Sequence, residues 1–534
     1  MAALFGPTAA VMKWPYVWLI ALCLALILIL TGQQRIAAIP ASPLTLEVNP
    51  AHPQASDAGK GIPTTPFRTI GAALAWAQAH DRPTNIYIYS GIYRETLGTI
   101  HHRQTPLRLI AKGGDRPKGA LRDRVILRGS QQWSDWQAVS TTSAVTIYRH
   151  PWTLGWGFSG NPWTAFDIEL PRVAQRGELV WWQETPLRQR LSFMELQGND
   201  FYVDDAEQQL YVAIPTGISP RELEVAVHRE ALRILDSGFI SLVGLRFEHY
   251  GGTFTQAVRI ERSHDIQVID CIFWGNNWGG LESHQSDRLR VERTQFLQNG
   301  WRGMAGVHLR DFTVQQVLVQ GNNWRGGWAG FYDWDAGDKY FHLRHAVFDR
   351  YRAIENQAAG LWLDTDNQNV EIRRSQFVGN AVVGLFLEAG TGPVTIEDSL
   401  IAYNYSIAPN YLQTPGIFGW AAAHVTLRRN WIWENQGAQI GVRDPSPRTV
   451  TLPETGEAVT ITSQDWYLEG NWIGSRQEQL LTTLKGEAFL KTLTLQGNHW
   501  WSEAPYPFRL EGENVPWSQW QERYGKAGDR WLSP

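Results

Sequence analysis

The feature that most constrains the fold of this chain is a spacing. Asn-x-x-x-Gly recurs as Asn276/Gly280, Asn299/Gly303, Asn322/Gly326, Asn356/Gly360 and Asn380/Gly384, at intervals of 23, 23, 34 and 24 residues. An apolar residue stands three positions before most of these asparagines, at Phe273, Phe296, Val319 and Phe377. The pair is echoed at Ile401/Asn404, Ile432/Asn435, Leu468/Asn471 and Leu495/Asn498. A repeat of this length is one coil of three short strands. The apolar residue stacks inside on its counterparts, and the Asn side chain bonds backbone at a turn. The expected fold is therefore all-β, a parallel β-helix that uses most of the 534 residues as one solenoid. The asparagines are structural in this reading. The longer intervals, 34 after Asn322 and 31 between Asn404 and Asn435, mark loops that leave the coil, where a binding cleft is usually walled.

A stack of coils has open ends that must be covered. The Ala-rich segment Ala72 to Ala79, with Thr69 as its cap, is the expected N-terminal lid, and Trp517 to Tyr524 the C-terminal one. The expected organisation is N-terminal coils with their capping helix over 44–130, an inserted β-rich region over 131–234, the main β-helix over 235–500 and a C-terminal cap over 501–534. Within the insertion, Phe201 to Asp205 and Leu210 to Ile214 read as a hairpin. Trp14 to Leu30 carries no charge over seventeen residues and follows Lys13. This length is at the lower edge for a spanning helix and long for a cleaved signal core. The expectation is a cytoplasmic 1–13, a signal anchor or signal peptide at 14–31 and a linker over 32–43, so that the protein is membrane-anchored or secreted with its bulk outside the cytoplasm.

Composition excludes some classes. A formal charge of −4, a pI near 6.4 and scattered Lys and Arg give no field for nucleic acid. Cys23 and Cys271 are too few and too far apart for a disulfide framework or a thiolate metal site. The 27 Trp suit core packing and sugar stacking equally.

In a solenoid, alignment in sequence becomes distance in space, because equivalent positions on successive coils lie about 4.8 Å apart. The strand after one repeat Gly reads Leu361-Trp362-Leu363-Asp364, and the next reads Leu385-Phe386-Leu387-Glu388. Alternation sends the leucines inward and sets Asp364 beside Glu388 and Trp362 beside Phe386 on the outer surface. Two carboxylates on neighbouring rungs repel each other, which asks for a reason. A retaining glycosidase supplies one: its nucleophile and acid/base stand roughly 5–5.5 Å apart, and repulsion with desolvation keeps one of them protonated. A Ca²⁺ site completed by Asp366, and a plainly solvated surface, are the alternatives. Counting back from the repeat Gly places Trp328 and Gly330 on the preceding coil, with Gly330 as a notch beside Asp364. The irregular segment that follows offers Trp334, Asp335 and Lys339 as substrate contacts; Arg325, His284 and His308 extend the candidate cleft.

Asp57-Ala58-Gly59, Pro66 to Ile70 and Gly91 to Glu95 resemble the start of right-handed β-helix proteins of the pectin-lyase-like superfamily. Gly360 to Asn367, followed one coil on by Gly384 to Glu388, resembles the catalytic coils of glycoside hydrolase family 120, the β-xylosidases on this fold. The resemblance implies that Asp364 is a nucleophile and Glu388 an acid/base, acting on an oligo- or polysaccharide without a cofactor. The apparent membrane segment and the region after Tyr405 depart from that pattern. A Ca²⁺-dependent polysaccharide lyase, using Lys339 or Arg325 as base, and a non-catalytic glycan-binding solenoid are the other two readings.

Overall fold

The computed structural model describes residues 42–112, 125–166, 168–331, 335–407, 416–443, 447–476, 480–524 and 528–532. Each regular coil gives one strand to each of three faces. In the coil that holds Asp364 these are Arg352–Ile354, Ala359–Asp364 and Gln368–Arg373. The next coil repeats them as Gln376–Val378, Leu385–Gly390 and Val394–Glu397. Counterparts pair in parallel and in register, as Ala353 with Phe377, Leu361 with Leu385 and Val370 with Val394. Two faces join through strands that run across the corner, such as Arg302–Gln315, into a 24-stranded sheet; the third is a 13-stranded sheet. Inward residues fill the bore, and Phe247, Phe273 and Phe296 stack there with centroids 5.0 and 4.8 Å apart.

The repeated Asn is what ties one coil to the next. Asn276, Asn299, Asn322, Asn356 and Asn380 each donate through Nδ2 to the Oδ1 of the next member at 2.9 Å, and the ladder runs on from Asn404 to Asn435 and Gln439 at 2.8 Å. Each Oδ1 also accepts a backbone N–H, as Asn356 does from Asn322 at 3.0 Å. An amide carries both donor and acceptor, so one side chain satisfies groups above and below it at a corner where the ladder of strands is interrupted. Asn471 and Asn498, taken from sequence as echoes of this series, belong to a different corner. They continue a second ladder that runs from Ser399 through Asn430 to Asp529. Both corners pose the same bonding problem; the second solves it with serine at Ser375 and Ser399, asparagine at Asn430, Asn471 and Asn498, and Asp529.

The repeat Gly is also explained. A Cβ at Gly360 would lie 2.5 Å from the carbonyl O of Gly384 and 2.8 Å from Asn380 Nδ2. In the 34-residue coil the glycine with that role is Gly337, whose Cβ would lie 2.8 Å from the O of Gly360, and not Gly326. The extra residues form the helix Trp324–Ala329 before the chain rejoins the sheet as Ala336–Phe341. This corrects the register drawn from sequence. Trp328 and Gly330 do not precede Trp362 and Asp364; Lys339 and Phe341 do.

The helix Ile70–His80, with Thr69 Oγ1 accepting from Ala72 N at 3.2 Å, covers the first coil. Its Gln78 and Ala77 oxygens accept from His101 N and Arg103 Nη1 at 3.4 and 2.7 Å. The helix Trp517–Tyr524 lays Trp520 flat on Phe508, centroids 4.3 Å apart, at the other end. Between the early coils the chain builds antiparallel sheets. Asp200–Asp204 pairs with Gln209–Pro215, which pairs with Val145–Pro151, over a core that includes Trp152, Phe201 and Val212. This inserted region packs on the coils through Trp181 against Trp274 and through Trp163 against Trp278. No helix among the described residues is long and apolar enough to cross a membrane. The segment at 14–31 lies outside the described residues.

Candidate active site

Outward residues of the strands around Asp364 form two columns. One runs Glu282, Ala305, Lys339, Trp362, Phe386 and Phe418; the other contains His284, Val307, Phe341 and Asp364, and continues one rung on with Glu388 and Trp420. Leu363 pairs with Leu387, and Thr365 N donates to the Glu388 carbonyl at 3.0 Å, so the two carboxylates stand on adjacent rungs. Their backbones are one strand spacing, about 4.8 Å, apart.

The surroundings are cationic and dry. Asp364 and Glu388 are only 7 % and 6 % exposed. Asp364 Oδ2 takes an ion pair from Lys339 Nζ at 3.1 Å, and its Oδ1 accepts from Thr365 Oγ1 at 2.8 Å. Glu388 Oε2 accepts from Trp362 Nε1 at 3.1 Å, and Oε1 pairs with Arg448. Desolvation, then the charge of Asp364, push the Glu388 carboxyl up to about 7 against the opposing pull of Arg448 and Lys339. Burial in turn pulls the Lys339 ammonium below its usual range, with Asp364 opposing. Nearby, Arg302 pairs with the buried Asp335 at 2.8 Å. A cavity of about 70 Å³ lined by Trp163, Arg302, Asp335, Lys339 and Phe341 adjoins the pair.

The structure brings together Asp364, Glu388, Trp362, Phe386, Lys339 and Asp335. Trp362 and Phe386, however, do not present a bare apolar wall. Lys339 Nζ sits 3.3 Å from the centre of the Trp362 ring, and Phe386 packs 4.5 Å from it, so the indole serves as a hydrogen-bond donor and a cation seat. Trp328 packs on Trp324 at 4.4 Å in a cluster with Trp181, under the inserted region. Arg325 is wholly buried, donating to the carbonyls of Val173 and Arg176 at 3.1 and 3.0 Å and to Gln189. It fastens the insertion to the coils and is not a cleft residue. His308 packs at a tilt against His342 at 4.6 Å, and His284 pairs with Glu282 at 3.0 Å; neither touches the carboxylates. Trp334 lies outside the described residues.

Asp366 is also placed elsewhere. Against its desolvation, donors from His342, Thr391, Gln368 and Arg344 hold its carboxyl far below the usual range. A carboxylate so committed, beside Asp364 on Lys339 and Glu388 on Arg448, does not fit a Ca²⁺ ligand set. The three-ligand grouping found among the described residues is His101, His102 and Asp236, at a different surface, where Asp236 already takes Arg262 at 2.7 Å. Sequence reasoning missed Arg302, Phe341, Trp420 and Arg448. Phe341 and Trp420 follow from the two columns once the long coil is registered on Gly337, whereas Arg302 stands outside both, at the start of its strand. Arg448 comes from the antiparallel hairpin Arg448–Thr451 and Ala458–Ile461, which no repeat announces.

Comparison with known proteins agrees with this coil. The family described as a right handed beta helix region matches residues 256–430, which include both carboxylates, and the fold is a right-handed parallel β-helix. Among solved structures, a glycoside hydrolase is 10% identical and covers 91% of this chain and 96% of its own, at a TM-score of 0.40. The lacto-N-biosidase of glycoside hydrolase family 136 from Eubacterium ramulus is 10% identical over 87% of this chain and 67% of its own, at 0.43. The mannuronan C-5 epimerase AlgE6 A-module of Azotobacter vinelandii is 14% identical over 57% and 84%, at 0.38. These likenesses are distant. No curated protein matches the sequence.

Proposed function

We propose that the protein is a carbohydrate-active enzyme, a retaining glycoside hydrolase in which Asp364 is the nucleophile and Glu388 the acid/base. The observation that carries this is the split between two adjacent carboxylates. Asp364 is paired with an ammonium, while Glu388 is pushed up to about 7 and so holds its proton near neutrality. Adjacent rungs suit the short separation of a double displacement rather than the wider gap that admits water between the two groups. Asp364 Oδ attacks the anomeric carbon as Glu388 delivers its proton to the leaving oxygen. Glu388, now ionised, takes a proton from water, whose oxygen displaces Asp364 and releases the sugar. Trp362 Nε1 and Arg448 stabilise the ionised form of Glu388 in that second half. Lys339 holds the Asp364 carboxylate through its ion pair, and yields it as the glycosyl bond forms.

A glycan substrate fits an enzyme outside the cytoplasm, and the charge-free run at 14–30 supports an exported or membrane-anchored protein. No cofactor enters the scheme. A polysaccharide lyase is the second reading, favoured by one observation: burial lowers the Lys339 ammonium toward the range of a base. Turnover of chromogenic glycosides and polysaccharides by the full chain, with and without EDTA, separates the two. The hydrolase account expects EDTA-resistant release of a saturated sugar, abolished in Asp364→Asn. An unsaturated product absorbing in the ultraviolet, lost in Lys339→Met but not in Asp364→Asn, would establish the lyase.

A further inference from the structure

Away from the carboxylate columns, a cavity of about 590 Å³ opens between the 13-stranded sheet and the inserted region. Ile92, Ile126 and Trp274 line it from the sheet strands Gly91–Tyr93, Val125–Arg128 and Ile272–Trp274; Gln183, Glu184 and Glu222 line it from the insertion. Its volume falls within the range of small-ligand sites, roughly 300–1,000 Å³. Two arginines also line it, but both are spent. Arg128 and Arg246 each pair with the buried Glu248, and Arg128 reaches Glu224 at 3.1 Å as well. No cation is left over for a phosphate or a uronate. What remains is a set of amide and carboxylate groups beside aliphatic side chains and the Trp274 indole, over which the Arg246 guanidinium lies 4.7 Å from the ring centre.

One buried group on this wall lacks a partner. His249 lines the cavity at 2 % exposure, and its Nε2 makes no hydrogen bond among the described residues. Its protonation state follows from its neighbours. Ser130 Oγ donates its one proton to Glu224 Oε2 at 2.9 Å, so at the 3.2 Å contact with His249 Nδ1 the hydroxyl accepts. Nδ1 therefore carries the proton of a neutral ring, and Nε2 is a bare acceptor. Burial, then Arg128 and Arg246, keep that ring neutral. The ring is held between Trp181 and Trp274, with centroids 4.6 and 4.8 Å away, so it gives this wall a neutral aromatic backing and Nε2 stays closed off.

We propose that this cavity binds a short neutral saccharide, with Trp274, Ile92 and Ile126 against its apolar ring faces and its hydroxyls donating to Glu184 and Glu222. The inference draws on the cavity's own chemistry and stands apart from the hydrolase reading. Isothermal titration of the full chain with xylotriose, cellotriose and galactotriose, alongside trigalacturonate and inorganic phosphate, tests it. A neutral trisaccharide is expected to bind. Trp274→Ala and, separately, the exposed double variant Glu184→Ala/Glu222→Ala are expected to weaken it at least tenfold, while glycoside turnover is unchanged and Asp364→Asn leaves the binding intact. Binding of no neutral trisaccharide, binding indifferent to both sets of variants, or preference for trigalacturonate or phosphate would overturn the proposal. Trisaccharide binding of this kind by a wild type that cleaves no glycoside would sink the hydrolase reading and leave this one standing.

Discussion

At the scale of single residues, the account rests on Glu388. A general acid works only while protonated, so kcat/KM is expected to fall as pH rises through about 7, the value to which desolvation and Asp364 push its carboxyl. Arg448 opposes that push, so Arg448→Gln is expected to move this alkaline limb to higher pH; a limb that stays put or moves down would remove Arg448 from the site. Removing the like charge works in the opposite sense. In Asp364→Asn, the Glu388 carboxyl followed by carbon-13 NMR is expected to titrate at lower pH than in the wild type. Glu388→Gln should lower kcat by roughly 10²–10⁴-fold, the usual worth of a positioned acid/base. The carboxylate pair was legible in the sequence because it needs only a period of two along the strand and a period of 24 between coils. Lys339 was half legible: its presence near the cleft could be read, its rung could not, because Gly326 imitated the repeat glycine that is in fact Gly337. Arg448 was not legible, since its pairing with Glu388 spans 60 residues and depends on how a hairpin folds back.

At the scale of elements, the Asn ladder and the helix Trp324–Ala329 do different work. The ladder is local and periodic, which is why it can be read from spacing alone. Asn356→Ala would leave the backbone N and Nδ2 of Asn322 without their acceptor and the Val319 carbonyl without its donor. A loss of about 3 kcal/mol is expected in urea unfolding, because these groups stay buried when unpaired. The helix instead delivers Arg325 to the underside of the insertion. Its residues looked like cleft chemistry in sequence because a charged side chain between two glycines and two tryptophans gives no sign of which surface will bury it. Burial pulls the Arg325 guanidinium down to about 10, which leaves it charged at neutral pH, and its donors satisfy carbonyls of a segment about 150 residues earlier. Arg325→Met is expected to loosen the insertion, at about 1–3 kcal/mol for a buried acceptor left unpaired. Limited proteolysis should then cut within 130–226 before the coils; uniform cleavage along the chain would show that Arg325 holds no such joint.

At the scale of the whole molecule, the solenoid acts as a ruler. Parallel coils set any two equivalent side chains one strand spacing apart, and caps at both ends, Ile70–His80 and Trp517–Tyr524, keep the stack from growing onto another copy. The repeat made this architecture readable before any contact was known, whereas the antiparallel insertion was visible only as a change of pattern, since its partners are set by tertiary packing on Trp274 and Trp278. The ruler is also what makes the catalytic claim specific: two carboxylates on adjacent rungs call for a double displacement. Proton NMR of the first sugar released from a cleaved aryl glycoside, recorded before mutarotation, tests this most directly. The account predicts that the anomeric configuration of the substrate is kept; an inverted sugar, an unsaturated product, or no cleavage of any glycoside would contradict it.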